Sequence, residues 1–156
     1  MGMTRQTMTP ETEFLGRVTV RLIVAEERDR FDALLEEKHY LKSARLGGQS
    51  LRYVAEAEGQ WVALITFSGA APHTKARELK IRWTPRQRAR RLCFVVNNSR
   101  FLVLPERQRY PNLASRVLAL GLKRVNADWQ ERWGHPVVLV ESYVDESQYR
   151  GTCYRA

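Results

Sequence analysis

The stretch Asn97-Asn98-Ser99-Arg100-Phe101-Leu102-Val103-Leu104-Pro105 sets a polar cluster directly against an apolar run that ends at a proline. The apolar part predicts a strand, while Asn and Ser favour turns because their side chains bond to their own backbone. The cluster is therefore either a turn before a central strand or one wall of a site. In the second interpretation Arg100 binds an anion or pairs with a carboxylate such as Glu141, although a buried Arg–Glu pair can also be purely structural.

The length and composition of the chain predict one domain. With 156 residues and 44% hydrophobic content, it can bury one substantial core. We expect residues 1–13 to be a disordered leader and residues 14–156 to form the domain. The leader has no apolar segment, and the chain has no apolar run long enough to cross a bilayer. These features argue against a membrane partner and favour a cytoplasmic protein.

Hydrophobic periodicity gives the order of elements. The pattern predicts an α/β, or more exactly α+β, fold in which helices flank a mixed, largely antiparallel sheet. Asn112 and Gly134 bracket the longest predicted helix, and Gly121 within it permits close approach to a sheet. The predicted elements are a strand at 18–24, a helix at 26–38 ending at His39, a hairpin at 51–57 and 60–67, a helix from Pro85 with a capping box at Thr84, a strand from 100, a helix at 113–133 and a strand at 137–144.

The strong positive charge favours anionic partners, because the formal net charge is +9 and the sequence pI is about 10.1. Nucleic acid, and DNA in particular, comes first among them. Residues 75–91 hold most of this charge against one acid, Glu78, and include Trp83, which favours contact with a phosphate backbone. A solvated charge run is the alternative. The basic residues are Lys75, Arg77, Lys80, Arg82, Arg86, Arg88, Arg90 and Arg91.

The start of the long helix is a candidate cofactor site. The free N–H groups at Asn112-Leu113-Ala114-Ser115 would attract an anion, and a simple helix cap is the alternative. The preceding loop, 106–111, has no glycine, which disfavours close approach to a pyrophosphate.

Candidate catalytic residues cluster near the C-terminus. Glu141 interrupts an apolar strand, so it must be paired or have a raised pKa, and it is the candidate general base. Tyr154 or Tyr149 is a candidate proton donor, with packing as the alternative for either, and Cys153 is a nucleophile only if a base lies beside it. Cys93 and Cys153 lack CxxC spacing and a nearby His pair, so we predict free thiols and no metal site.

Several short motifs follow one another in a characteristic order. They are Phe31-Asp32-x-Leu34-Leu35, His39-Tyr40-Leu41, Leu51-x-Tyr53-Val54, Asn97 to Leu102, Asn112 to Ser115, Asp128-Trp129, Glu141 to Asp145 and Gly151 to Ala156. As an ordered set over about residues 18–156 they resemble the DruA family of the Druantia anti-phage defence systems, relatives of which occur with transposases. This resemblance implies a role in defence or mobile elements, with other subunits of such systems as partners.

A weaker similarity links the same element order to Mom-type DNA-modification proteins and to the GNAT acyltransferase fold. The GNAT likeness implies acyl-CoA bound at 107–115, and a sheet that lacks the last strands of that fold. Two hypotheses follow. In the first, an acyltransferase-like domain acts on nucleic acid, with Arg100 and the segment 112–115 holding the cofactor, Glu141 as base and Tyr154 as acid. In the second, a non-catalytic DNA-binding module uses residues 75–91.

Overall fold

The computed structural model describes residues 8–155 and contains one five-stranded sheet flanked by helices. The strands are β1 (Thr19–Leu22), β2 (Ser50–Ala57), β3 (Gln60–Gly69), β4 (Val95–Val103) and β5 (Leu139–Glu141). The helices are α1 (Pro10–Gly16), α2 (Arg28–Lys38), α3 (Lys75–Ile81), α4 (Pro85–Arg91), α5 (Leu113–Trp133) and α6 (Thr152–Arg155). Single 3-10 turns occur at Ala25–Glu27, Leu92–Phe94 and Pro105–Arg107.

The sheet follows the order β1-β2-β3-β4-β5. The pairs from β1 to β4 are antiparallel, whereas β5 runs parallel to β4. A parallel pair needs a crossover, and α5 supplies it. The predicted fold class, an α+β protein with a mixed and largely antiparallel sheet, is confirmed.

The β2–β3 hairpin forms as its sequence predicts. Glu58 and Gly59 both adopt positive φ, 55° and 75°, as expected for a tight turn whose twist matches that of the flanking strands. Alternation along the hairpin then divides the apolar side chains between the two faces of the sheet. Tyr53 and Ile65 face α5, and Val54 and Leu64 face α2.

Helix α5 has the predicted bounds and lies across the sheet. Gly121 is buried beside Phe67 and Ile65, and a Cβ at this position would lie 3.6–3.7 Å from their side chains, in ordinary van der Waals contact. Gly134 ends the helix with a φ of 80°. Leu122 of the same helix is exposed.

Three expectations need correction. Residues 10–13, assigned to a disordered leader, belong to α1, which begins with a Thr9 side-chain cap; residues 1–7 lie outside the described part of the chain. Residues 75–81, taken only as a charge run, form α3. The cluster at 97–100 is not a turn before a strand, because it lies inside β4.

Candidate functional site

Strands β4 and β5 pair for only a short distance and then separate. Their register ends at Asn97 opposite Glu141, after which β4 continues to Val103 while the chain turns away from β5. A cavity of about 460 Å³ lies where they part. Residues from both sides of the sheet line it, since His39 follows α2 on one face and Ser115 belongs to α5 on the other. Ligands commonly bind beyond the carboxyl ends of parallel strands, where connections leave an opening.

The cavity brings together most of the predicted site residues. Glu141 does not line it, and Leu113 is fully buried in the core instead. The predicted residues that do line it are Arg100, Asn112, Ala114, Ser115, Cys153 and Tyr154.

A β-bulge explains why a polar cluster occurs inside a strand. Thr66 pairs with Arg100 and Phe67 with Asn98, so Ser99 is an extra residue on β4. The Ser99 hydroxyl lies 2.8 Å from the Thr66 hydroxyl. The Asn98 amide donates to the carbonyl oxygens of Thr66 (2.9 Å) and Arg100 (3.2 Å) and so fixes the backbone on both sides of the bulge.

Asn98 also connects the bulge to α6. The Tyr154 hydroxyl donates to Asn98 Oδ1 at 2.7 Å. Burial raises the pKa of Tyr154, which keeps its proton in place at neutral pH. Burial also raises the pKa of Cys153, so this residue is a thiol rather than the thiolate that a nucleophile requires.

Arg100 lines the cavity without a carboxylate within ion-pair distance among residues 8–155. Its guanidinium donates to the carbonyl oxygens of Ser43 (2.9 Å), Ser99 (2.7 Å) and Arg45 (3.2 Å). A guanidinium has five N–H donors, so further donors are available to an anion. Partial burial lowers the pKa of Arg100, a sign that its charge is not balanced by a neighbouring acid.

The suggested Arg100–Glu141 pair does not form. Glu141 instead accepts two hydrogen bonds from Arg77 of α3, at 3.0 Å and 2.5 Å. Only 3% of the Arg77 side chain and 14% of the Glu141 side chain are exposed. The pair raises the pKa of Arg77 and satisfies the carboxylate, which removes the reason for regarding Glu141 as a base.

The start of α5 faces the cavity, as the sequence predicts, although Asn112 is not a side-chain cap. The N–H groups of Ala114 and Ser115 have no backbone or side-chain acceptor within the described part of the chain. Glu11 of α1 accepts from the Asn112 N–H at 2.9 Å, so a carboxylate already occupies the edge of this helix end.

Sequence reasoning missed several cavity residues, foremost His39. The sequence places this histidine at the end of the helix predicted over 26–38 and gives it no role in a site. It does end α2, but burial, with a smaller effect of Arg100, lowers its pKa to about 4. Its Nδ1 accepts the Leu41 N–H at 3.2 Å, so the neutral ring carries its proton on Nε2. Tyr40, Tyr143 and Tyr149 also line the cavity. The His39-Tyr40-Leu41 motif could have indicated a role for this histidine. It lies far in sequence from the other motifs, so its place beside them in the cavity could not be predicted.

The predicted nucleic-acid contacts divide into two groups. Arg77 is buried in its ion pair, and this burial contradicts its assignment to a phosphate backbone. Arg88 is half-buried and lies 3.3 Å from Glu78. The other six are exposed and lie on α3, on α4 or between these helices: Lys75, Lys80, Arg82, Arg86, Arg90 and Arg91.

Metal sites, disulfides and membrane-spanning helices have little support among the described residues. Between residues 8 and 155 there is no cluster of three or more His, Cys, Asp or Glu side chains that could hold a metal ion. Cys93 and Cys153 are free cysteines. Of the helices that the structure describes, none has the length and apolarity needed to span a membrane.

Together these features define an α+β domain with a cavity at the opening of a mixed sheet. A family model described as Druantia protein DruA matches residues 6–156. The chain therefore belongs to the DruA family, whose description connects it with the Druantia anti-phage defence systems. Among curated proteins, none matches the chain.

Proposed function

We propose that this chain is an acyltransferase-like domain that binds an anionic acyl carrier of the acyl-CoA type and acts on or near nucleic acid. One observation carries the proposal. The parallel strands β4 and β5 separate after Asn97 and Glu141, and the cavity between them is lined by the start of a long helix and by Arg100. A role beside other defence-system or transposase subunits in the cytoplasm, where acyl-CoA and DNA are both available, is part of the proposal.

The cavity offers an anion two kinds of donor. Unpaired N–H groups at Ala114 and Ser115 begin a helix of 21 residues, whose dipole favours negative charge at this end. Arg100 adds a full positive charge and free guanidinium donors. Phosphate groups of a carrier fit this set without a glycine-rich loop, because side-chain and helix donors replace close contact with loop backbone.

In acyl transfer, an acceptor nitrogen or oxygen attacks the thioester carbonyl, the carbon–sulfur bond breaks, and the sulfur leaves with the electron pair. The departing thiolate needs a proton, and Tyr154 holds one at the cavity wall. The proton released by the acceptor restores the Tyr154 hydroxyl through solvent. Glu141 takes no part as a base in this scheme, since it is committed to Arg77, and Cys153 remains a neutral thiol.

The binding step is testable with a charge placed at the helix start. Ser115→Asp puts a carboxylate in the first turn of α5, where it favours the helix but repels an anionic ligand. Ser115→Asn has nearly the same size and no charge. We expect calorimetric titration to show acetyl-CoA binding by the unmodified chain and Ser115→Asn, and much weaker binding by Ser115→Asp. Absence of binding by the unmodified chain, or equal binding by both variants, would refute the proposal.

The second hypothesis, a DNA-binding module without catalysis, draws support from the exposed basic side chains on α3 and α4. Only Glu78 supplies an acid within residues 75–91, and Arg88 and His73 already contact it. If the chain binds DNA in a strongly salt-dependent way but neither binds acetyl-CoA nor adds an acetyl group to DNA in mass spectra, the second hypothesis replaces the first.

A further inference from the structure

Four tyrosines surround the cavity with much of their rings in solvent. Their exposed fractions are 37% for Tyr40, 51% for Tyr143, 49% for Tyr149 and 37% for Tyr154. Single exposed aromatic residues are common on protein surfaces, but several at one cavity mark a binding surface. The core does not require them, because the apolar clusters on both faces of the sheet are built from other residues.

Two of these tyrosines, Tyr40 and Tyr149, pack against each other with their rings tilted, and the buried His39 ring supports Tyr40. The ring centres of His39 and Tyr40 are 4.5 Å apart, and those of Tyr40 and Tyr149 are 5.2 Å apart. The backbone holds both ends, since His39 caps α2 and the Tyr149 N–H donates to the Asp145 carbonyl at 2.8 Å. We call the exposed pair Tyr40 and Tyr149 the aromatic platform.

Positive charge lies beside the platform. Lys38, Arg100 and Arg150 line the same cavity, and Asp145 is the acid that lines it. Asp145 is occupied by local hydrogen bonds from Ser147 and Gln148, which also lower its pKa. Aromatic faces combined with unbalanced cations are the usual means by which proteins hold single-stranded nucleic acid.

The placement of the platform selects an unpaired base rather than a base pair. Within a duplex the faces of the bases are stacked and only their edges are accessible, so an aromatic ring can stack only on a base outside the helix. The platform lies on the α2 side of the sheet opening, whereas Ala114 and Ser115 lie on the α5 side. The platform and the start of α5 therefore line different parts of the cavity.

We propose that the aromatic platform binds an unpaired nucleobase of a single nucleic-acid strand, with the adjacent cations on the strand's phosphates. This inference rests on the proposed function, because it places the bound base across the cavity from the acyl carrier. Its test is separate, since strand binding is measured without any acyl-CoA present.

The test compares the full chain with Tyr40→Ala, Tyr149→Ala and the ring-preserving Tyr40→Phe by fluorescence anisotropy. The probes are a labelled thymidine strand, the uridine strand of the same length, the thymidine–adenine duplex and a DNA strand of abasic sites. Stacking on one base is worth about 5- to 150-fold in affinity. We expect each alanine variant to lose that much affinity for a base-bearing strand, and Tyr40→Phe to keep it. Binding to the abasic strand should be equal for all variants.

The thymidine and uridine arms show whether DNA or RNA supplies the base, and ring-dependent binding of either supports the inference. The inference is overturned if the unmodified chain binds the abasic strand as tightly as both base-bearing strands. It is equally overturned if Tyr40→Ala and Tyr149→Ala bind as tightly as Tyr40→Phe, or if the duplex binds best. Thermal unfolding of each variant shows whether it has folded. Strand binding without acetyl-CoA binding would refute the proposed function alone.

Discussion

The basic segment, residues 75–91, and the cavity carry positive charge in different ways. The segment has eight cations on or between two short helices, and six of them are exposed. The cavity has few cations, but a helix start, aromatic rings and a proton-bearing tyrosine converge with them. Dense exposed charge is suited to a long polyanion, whereas converging and partly buried groups are suited to one small part of a ligand. Charge density alone is therefore a poor guide to the site of chemistry.

Arg77 is the strongest test of this contrast, because it belongs to the segment in sequence and to the core in structure. Arg77→Met leaves the largely buried Glu141 without a cationic partner, with a hydrogen bond from the Tyr143 hydroxyl remaining, and should lower the free energy of unfolding by about 3–5 kcal/mol. The double variant Arg77→Met/Glu141→Met should recover most of that loss, because no buried charge remains. Urea denaturation measures both variants. If the single variant is as stable as the unmodified chain, the ion pair is not part of the fold.

His39 tests the cavity side. Its pKa falls from 6.5 to about 4 on folding, so the unfolded chain binds the proton more readily between these values. The contribution of the neutral His39 ring to the free energy of unfolding is complete above about pH 6.5 and is lost as the pH falls towards 4. The loss amounts to at most about 3.5 kcal/mol, since one pKa unit corresponds to about 1.4 kcal/mol. His39→Asn keeps an acceptor for the Leu41 N–H but does not titrate.

Urea denaturation at a series of pH values should therefore show a smaller decline for His39→Asn than for the unmodified chain below pH 6.5. Parallel declines would mean that this imidazole is charged or solvated in the fold.

Asn98 and Asn97 provide a matched pair inside the opening sequence stretch. Asn98→Ala removes the donors that fix the bulge and the acceptor of the Tyr154 hydroxyl, and should cost about 1–3 kcal/mol of unfolding free energy. Asn97→Ala should cost less, because the Asn97 Oδ1 has no partner among the described residues. Equal losses in urea denaturation would show that the bulge does not depend on Asn98.

The exposed part of the basic segment should have the smallest effect on stability. Arg86→Glu and Arg90→Glu should change the free energy of unfolding by no more than about 0.5 kcal/mol. Each should nevertheless reduce the salt dependence of duplex DNA binding, with the slope falling by about 1 for each phosphate that the variant no longer binds. Lys123→Glu, an exposed charge reversal on α5, is the control of equal charge. If the control weakens DNA binding as much, the segment is not the interface.

Local signals predicted most of the fold. The capping box at Thr84 is present, with Thr84 Oγ1 accepting from the Gln87 N–H, because both partners are three residues apart. The bounds of α5 follow equally from its apolar stripe and from Gly134. Helix caps and helix ends of this kind depend on residues close together in sequence and not on the rest of the chain. They can therefore be predicted from the sequence.

The site was predictable only in part, since its geometry depends on long-range register. Arg100 and Glu141 were placed side by side on the assumption that their strands run together, but β5 ends its pairing at Asn97. The partner of Glu141 is 64 residues away on a helix that the sequence suggested only as a charge run. The hydrophobic periodicity of a single segment does not indicate a contact between residues so far apart in sequence. The clustering of Arg100, Tyr154 and the start of α5 was inferred from motifs, and their shared cavity agrees with it.

Ser99 has a further consequence for how this strand tolerates changes in length. Before the bulge Val96 faces α5, and after it Phe101 and Val103 face the same helix, while Leu102 and Leu104 face α2. Without Ser99, successive side chains of β4 would alternate regularly between the α5 face and the α2 face. The two apolar layers would therefore accept a strand one residue shorter. Evolution could shorten β4 here without disturbing the core, yet the shorter strand would lose the twist that directs Arg100 and Asn98. The additional residue therefore serves the opening between the strands, and the packed interior has no need of it.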